Sequence, residues 1–230
     1  MKRKIITISI VMIMAFKGYS QVDEDKLGAW YMYFWNTTLK ETSWGFQGDI
    51  QYRNWDLIGD LEQLLLRGGA TYQPKNTNVK FTLGYGYIKS GAFGSSDATS
   101  EESRIYQEAL LPQKVGNRVY LTHRFRYEQR FVENQNFRTR FRYNFFITVP
   151  LNKKDLEPGA VYVAFYNELF INGQQAIGNG NSVTLFDRNR TYFALGYSIT
   201  KNLKAQFGFM QQTTNTLHKQ QLQLSLHHTL

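Results

Sequence analysis

What most limits the fold of this chain is an alternation of period two that sets arginine against aromatic residues. Over residues 118–131 the odd positions read Val119, Leu121, His123, Phe125, Tyr127, Gln129 and Phe131. The even positions read Arg118, Tyr120, Thr122, Arg124, Arg126, Glu128 and Arg130. The next segment repeats the scheme, with Phe137, Phe141, Tyr143, Phe145, Ile147 and Val149 on one side and Arg138, Arg140, Arg142, Asn144 and Thr148 on the other. Wound as helices, these stretches would scatter guanidinium groups around the whole cylinder. Extended, they separate into an apolar face and a cationic one.

The same period runs through the rest of the chain with less contrast. Val79, Phe81, Leu83, Tyr85 and Tyr87 oppose Lys80, Thr82, Gly84 and Gly86, and Leu222, Leu224 and Leu226 oppose Gln221, Gln223 and Ser225. Candidate segments start near residues 28, 44, 61, 79, 103, 118, 137, 160, 188, 203 and 219. Short turns are expected at residues 74–78, 115–117 and 200–202, and longer polar connections rich in Gly, Ser and Asn at 90–103 and 172–182. Short turns on one rim and long loops on the other describe a transmembrane β-barrel. Single-chain bacterial barrels have even strand numbers, so ten or twelve strands are expected. Residues 30–35, apolar on both faces, are either not a full barrel strand or are matched by one further strand.

The N-terminus reads as an address. Lys2, Arg3 and Lys4 precede an apolar stretch over residues 5–16, followed by the small residues Gly18 and Ser20. That is the layout of a secretory signal peptide over residues 1–20, leaving a single barrel domain over 21–230. Loss of Lys2, Arg3, Lys4 and Lys17 would take the formal charge from +9 to +5, which removes the case for nucleic-acid binding and suits anionic headgroups. Cysteine is absent, which excludes disulfide scaffolds, thiolate metal sites and cysteine nucleophiles.

A soluble sandwich or lipocalin-like barrel would alternate too, but with its apolar face inward. Here the apolar faces carry Tyr and Phe near segment ends, as an aromatic girdle does. The polar faces place carboxylates among arginines, which suits an enclosed lumen. An arginine turned to lipid at mid-membrane would cost about 2–4 kcal/mol, so the charged face is expected inside. The expected lumenal network comprises Asp49, Arg53, Arg104, Glu108, Arg124, Arg126, Glu128, Arg130, Arg138, Arg140, Arg142, Glu168, Asp187, Arg188 and Arg190. Arginine keeps its charge and pairs bidentately with carboxylates. Such a network either fills and stiffens a narrow barrel or attracts small anionic solutes.

Catalytic signals are thin. His123 falls on the apolar face, as an interfacial residue would. Ser225 and His227 share the inward face two residues apart and form the best Ser-His couple for a lipid-modifying hydrolase. No G-x-S-x-G elbow or metal-ligand spacing occurs, so no enzyme, metal site or cofactor is expected.

One set of motifs runs through Trp30 with its aromatic strand, Gln51-Tyr52-Arg53, Gly84-Tyr85-Gly86-Tyr87 and Arg104-Ile105-Tyr106-Gln107. It continues through residues 124–131, Arg138-Thr139-Arg140-Phe141-Arg142-Tyr143, Tyr166-Asn167-Glu168-Leu169-Phe170 and Asp187-Arg188-Asn189-Arg190. In these residues the chain resembles the domain-of-unknown-function 2490 family of Gram-negative outer-membrane barrels. The resemblance implies an all-β outer-membrane barrel after export, in contact with outer-membrane lipid and lipopolysaccharide and with the barrel-insertion machinery, and it implies no reaction. The final Leu230 departs from the aromatic end common in such strands. The expected role is a structural barrel or a narrow pore or binding barrel for small anionic solutes. The alternative is a lipid-modifying barrel enzyme.

Overall fold

A computed structural model describes residues 26–230; the expected signal peptide lies outside the described residues. The strands are β1 (Gly28–Thr38), β2 (Trp44–Asn54), β3 (Leu61–Tyr72), β4 (Lys80–Gly91), β5 (Thr99–Val115), β6 (Val119–Val132), β7 (Arg138–Pro150), β8 (Val161–Asn172), β9 (Ala176–Gly178), β10 (Asn181–Ser182), β11 (Phe186–Ser198), β12 (Leu203–Thr213) and β13 (His218–Thr229). All but β9 and β10 form one closed barrel, and neighbours in sequence are neighbours in the wall. β9 and β10 are a hairpin inside the connection from β8 to β11. Its turn passes through Gly178, Asn179 and Gly180, all at positive φ, where glycine carries no steric penalty.

The eleven starting points read from the sequence are those of the barrel strands to within a few residues, and the expectation of an even number is overturned. In an up-and-down meander with an odd count, the first and last strands run the same way. The barrel closes on that seam: β1 pairs with β13 in parallel, from Gly28 opposite Gln221 to Asn36 opposite Thr229. A parallel ladder satisfies backbone groups as an antiparallel one does, so no edge is left open. The wall is therefore antiparallel except at one seam. β1 is a full strand, apolar on both sides because Trp30, Met32 and Phe34 face the lumen while Tyr31 and Tyr33 face out.

The odd count puts the start of β1 and the end of β13 on opposite rims, here the N-terminal and C-terminal rims. The turns expected at residues 74–78, 115–117 and 200–202 share the C-terminal rim, and the polar stretches 90–103 and 172–182 share the other. The contrast between rims is smaller than expected. β5 begins at Thr99, the hairpin takes up part of the other stretch, and residues 151–160 form a long connection on the C-terminal rim.

The two faces are inside out relative to a water-soluble barrel. Leu83, Phe193 and Leu195 are each about 60% exposed on the outer wall, with Phe81, Tyr85, Phe125, Phe141 and Phe207 around them. Glu128, Glu168, Arg104, Arg126 and Arg140 are buried inside. Glycine opposite an aromatic ring lets the narrow lumen close. Gly84 pairs with Tyr106 and Gly196 with Tyr162, and a Cβ at either glycine would overlap the partner's ring.

Candidate functional site: an ion-paired lumen closed at one end

The charged residues singled out in the sequence are buried, or in Arg124, Asp187 and Arg188 half-buried, and alternation alone explains the position of most of them. On β5, β6 and β7 the even-numbered residues turn inward, and register sets Glu108 opposite Arg126, Arg126 opposite Arg142, and Glu128 opposite Arg140. Glu128, 1% exposed, accepts from Arg140 Nη2 at 2.6 Å and Arg142 Nη1 at 2.7 Å, with Arg104 and Arg126 about 4 Å away. Glu168 bridges Arg124 at 2.6 Å and Arg142 at 2.5 Å. Glu108 accepts from Arg126 Nε at 2.7 Å and from Gln47 Nε2 at 2.8 Å. Leaving water is costly for each of these ions, and the several charge-assisted donors around each carboxylate are what offset that cost.

Two carboxylates reach the lumen against the alternation. Asp187 is skipped in the pairing of β11 with β8, where Phe186 faces Ile171 and Arg188 faces Phe170. Glu62 is skipped in the pairing of β3 with β2, where Leu61 faces Asn54 and Gln63 faces Arg53. Each is the extra residue of a bulge, which re-aims a side chain across the sheet. Asp187 then accepts from Arg140 at 2.8 Å and Arg188 at 3.2 Å, and Glu62 accepts from Trp30 Nε1 at 2.7 Å.

Residues outside the expected network complete it. Arg67 chelates Asp49 through Nε at 3.1 Å and Nη2 at 2.9 Å, and Glu102 ties Arg104 to Arg130 at 2.8 Å on each side. Parity with Arg104 marks Glu102 in the sequence, whereas the run Leu64-Leu65-Leu66 masks the inward side of β3 beside Arg67. Aromatic rings are the other partners. The Phe170 ring has Arg140, Arg142, Arg188 and Arg190 within about 6 Å, and Tyr106 carries Arg126 at 4.4 Å. Guanidinium stacks on rings as ammonium does not, which accounts for arginine in preference to lysine here.

The packing differs between the two ends. Toward the N-terminal rim, Glu62, Ile88, Glu102, Arg130, Arg138, Gln212 and Gln221 are all buried and fill the bore. Toward the C-terminal rim lies a cavity of about 410 Å³. Trp30, Arg53, Arg190 and Glu168 line it deep down, and half-buried residues such as Asn36, Lys80, Leu110 and Thr148 line its mouth. Arg53 lies 3.7 Å over the Trp30 ring and Arg190 4.8 Å over it. Their polar contacts are amides: Arg53 donates to Gln51 and Gln63, Arg190 to Gln212. Neither has a carboxylate within ion-pair distance among the described residues, and nor does Arg138, which lies outside the cavity.

Ser225 and His227 also line the cavity, with Ser225 Oγ 3.1 Å from His227 Nε2. The His227 ring stacks on Phe34 at 4.9 Å, and its Nδ1 has no hydrogen-bond partner among the described residues. His123 sits on the outer face with Nδ1 2.8 Å from the Tyr143 hydroxyl.

Fold and lumen together define a closed β-barrel with a charged interior that opens toward one rim. The family model described as protein of unknown function (DUF2490) matches residues 27–223, which takes in all the barrel strands but the end of β13. The chain belongs to that family. Comparison with curated proteins found no match, and comparison with solved structures found none.

Proposed function

We propose that this protein is an outer-membrane β-barrel, exported through its N-terminal leader, that holds small anionic solutes in its lumen and neither conducts nor catalyses. The observation that carries the reading is the inverted distribution of polarity. Water would not favour an outer wall of Phe193, Leu195, Phe207 and Leu83, whereas hydrocarbon would. The closed ladder supports the same reading, since a bilayer tolerates no open sheet edge. The filled N-terminal half favours binding over passage, and the excess of guanidinium over carboxylate favours anions.

Two measurements test it. The protein should fractionate with outer membranes and migrate faster unheated than boiled, and the purified chain in planar bilayers should carry no steady single-channel current. A dispersed monomer without detergent defeats the membrane placement, and a steady anion-selective current defeats the closed lumen.

A second reading, lipid hydrolysis, is favoured by one observation, the hydrogen bond between Ser225 and His227. It lacks a group to orient the imidazole from Nδ1. Lipid hydrolysis that disappears in Ser225→Ala would establish it.

A further inference from the structure

We infer that Arg53 and Arg190, stacked on Trp30 at the bottom of the cavity, form the head-group site for an organic oxyanion, a carboxylate or phosphate on an apolar body. This rests on the binding-barrel reading and specifies its ligand.

Three observations carry it. First, Arg53 and Arg190 sit on one ring and are therefore near neighbours of like charge, in a lumen where Arg67, Arg104, Arg124, Arg126, Arg130, Arg140 and Arg142 each have a carboxylate. Their nearest carboxylates, Glu62 for Arg53 and Glu168 opposite Arg190, are bonded to other groups, and an oxyanion could accept from both forks directly. Second, the wall that joins them is free of carboxylate: β12, β13 and β1 contain no Asp or Glu. It presents Gln206, Gln223, Ser225 and His227 instead, and the one carboxylate among the described residues that reaches this wall from outside it, Glu62, is held by Trp30 Nε1 and Gln221. Third, one side of the cavity above the pair is aromatic and thioether surface, facing the arginines and carboxylates of the network on the other. Tyr166 packs on Phe146 at 5.4 Å and on Tyr192 at 4.7 Å, and Phe34 and Met32 line the same space. Those surfaces suit an apolar body, not a bare ion. A cavity of about 410 Å³ falls in the usual range for small-molecule sites.

The test uses the full mature chain in neutral detergent, with calorimetric titration of benzoate, phenyl phosphate, benzamide and inorganic phosphate. Benzoate or phenyl phosphate should bind, benzamide should not, and inorganic phosphate should bind at least tenfold more weakly than phenyl phosphate. Arg53→Gln and Arg190→Gln should each weaken binding at least tenfold, Arg53→Lys should recover part of it, and the rim variant Arg118→Gln should leave it unchanged. Heat-modifiable mobility of each variant confirms that the barrel has formed. Binding that survives Arg53→Gln and Arg190→Gln, equal binding of benzamide, or no binding of either organic anion overturns the site. A chain that inserts and stays closed yet fails these titrations loses the site alone; a chain that fails to insert loses the barrel reading beneath it.

Discussion

Trp30 Nε1 donates to Glu62 Oε2 at 2.7 Å, and Glu62 can accept only because a bulge turns it inward between Leu61 and Gln63. Gln221 Nε2 reaches the same oxygen at 3.3 Å. The ring that closes the cavity from below is thus held by a residue that strict alternation would send to the outer wall. Glu62→Ala should leave the indole N–H without its buried partner and cost about 1–3 kcal/mol. Urea unfolding of the inserted protein, followed by loss of heat-modifiable mobility, measures that difference. A variant as stable as the parent would mean that Trp30 is held by packing alone.

Glu128 is the centre of the ion-pair network, and its loss should be costlier. Glu128→Gln would leave Arg140 and Arg142 facing Arg104 and Arg126 with no charge between them. Breaking a buried pair from one side costs about 3–5 kcal/mol. The double variant Glu128→Gln with Arg140→Gln should be less destabilised than the two single effects added together, because it removes one of the stranded cations. Additive effects would place Arg140 under the control of Asp187 instead.

Most of the wall was legible because period two needs no tertiary information: Phe125 and Arg126 declare opposite faces wherever their strand lies. The pairing of Glu108 with Arg126 follows once the strands are placed in order. What the sequence hid are departures from the period. Adjacent Asp187 and Arg188 are both expected in the lumen, but the bulge that lets both serve it leaves no mark in the period. β1 hid its place because Trp30 is an inward aromatic among inward charges, and the parallel seam has no local signature at all. The cavity was equally invisible, since it depends on which side chains meet across the bore.

The lumen is narrow enough that glycine is required opposite its largest rings. Gly196 faces Tyr162, whose ring occupies the place a Cβ would take. Gly196→Val should displace that ring and destabilise the barrel by about 1–3 kcal/mol. The double variant Gly196→Val with Tyr162→Ala should recover much of the loss. Unfolding midpoints of the three variants decide the matter, and no recovery would point to backbone strain in β11 in place of the ring clash.

On the C-terminal rim, Asp155 accepts hydrogen bonds from Lys114 and, at 2.5 Å, from the Tyr120 hydroxyl. Lys114 first and Tyr120 second hold its carboxyl below the usual aspartate value. A depressed folded value stabilises the folded state above the unfolded pKa of about 3.9, and that contribution fades as pH falls through the folded value. The carboxylate is exposed, so the effect belongs to the loop and not to global stability. Carbonyl-carbon NMR should give Asp155 a titration midpoint below an ordinary aspartate, and Lys114→Met should raise it. A midpoint that ignores Lys114→Met would mean that the tie does not persist in solution.

The outer wall gives the sharpest test of the membrane placement, because water and hydrocarbon demand opposite outcomes at one position. Phe193 lies midway along β11 and is 61% exposed. On a water-facing surface Phe193→Arg would change stability by no more than about 0.5 kcal/mol. At the middle of a bilayer the same substitution should cost about 2–4 kcal/mol. Ile58, 77% exposed in the connection between β2 and β3, supplies the control: Ile58→Arg should be nearly neutral in either setting. Urea unfolding of both variants in lipid vesicles separates the cases. A neutral Phe193→Arg would return the apolar wall to the class of protein-docking surfaces and remove the hydrocarbon from this reading.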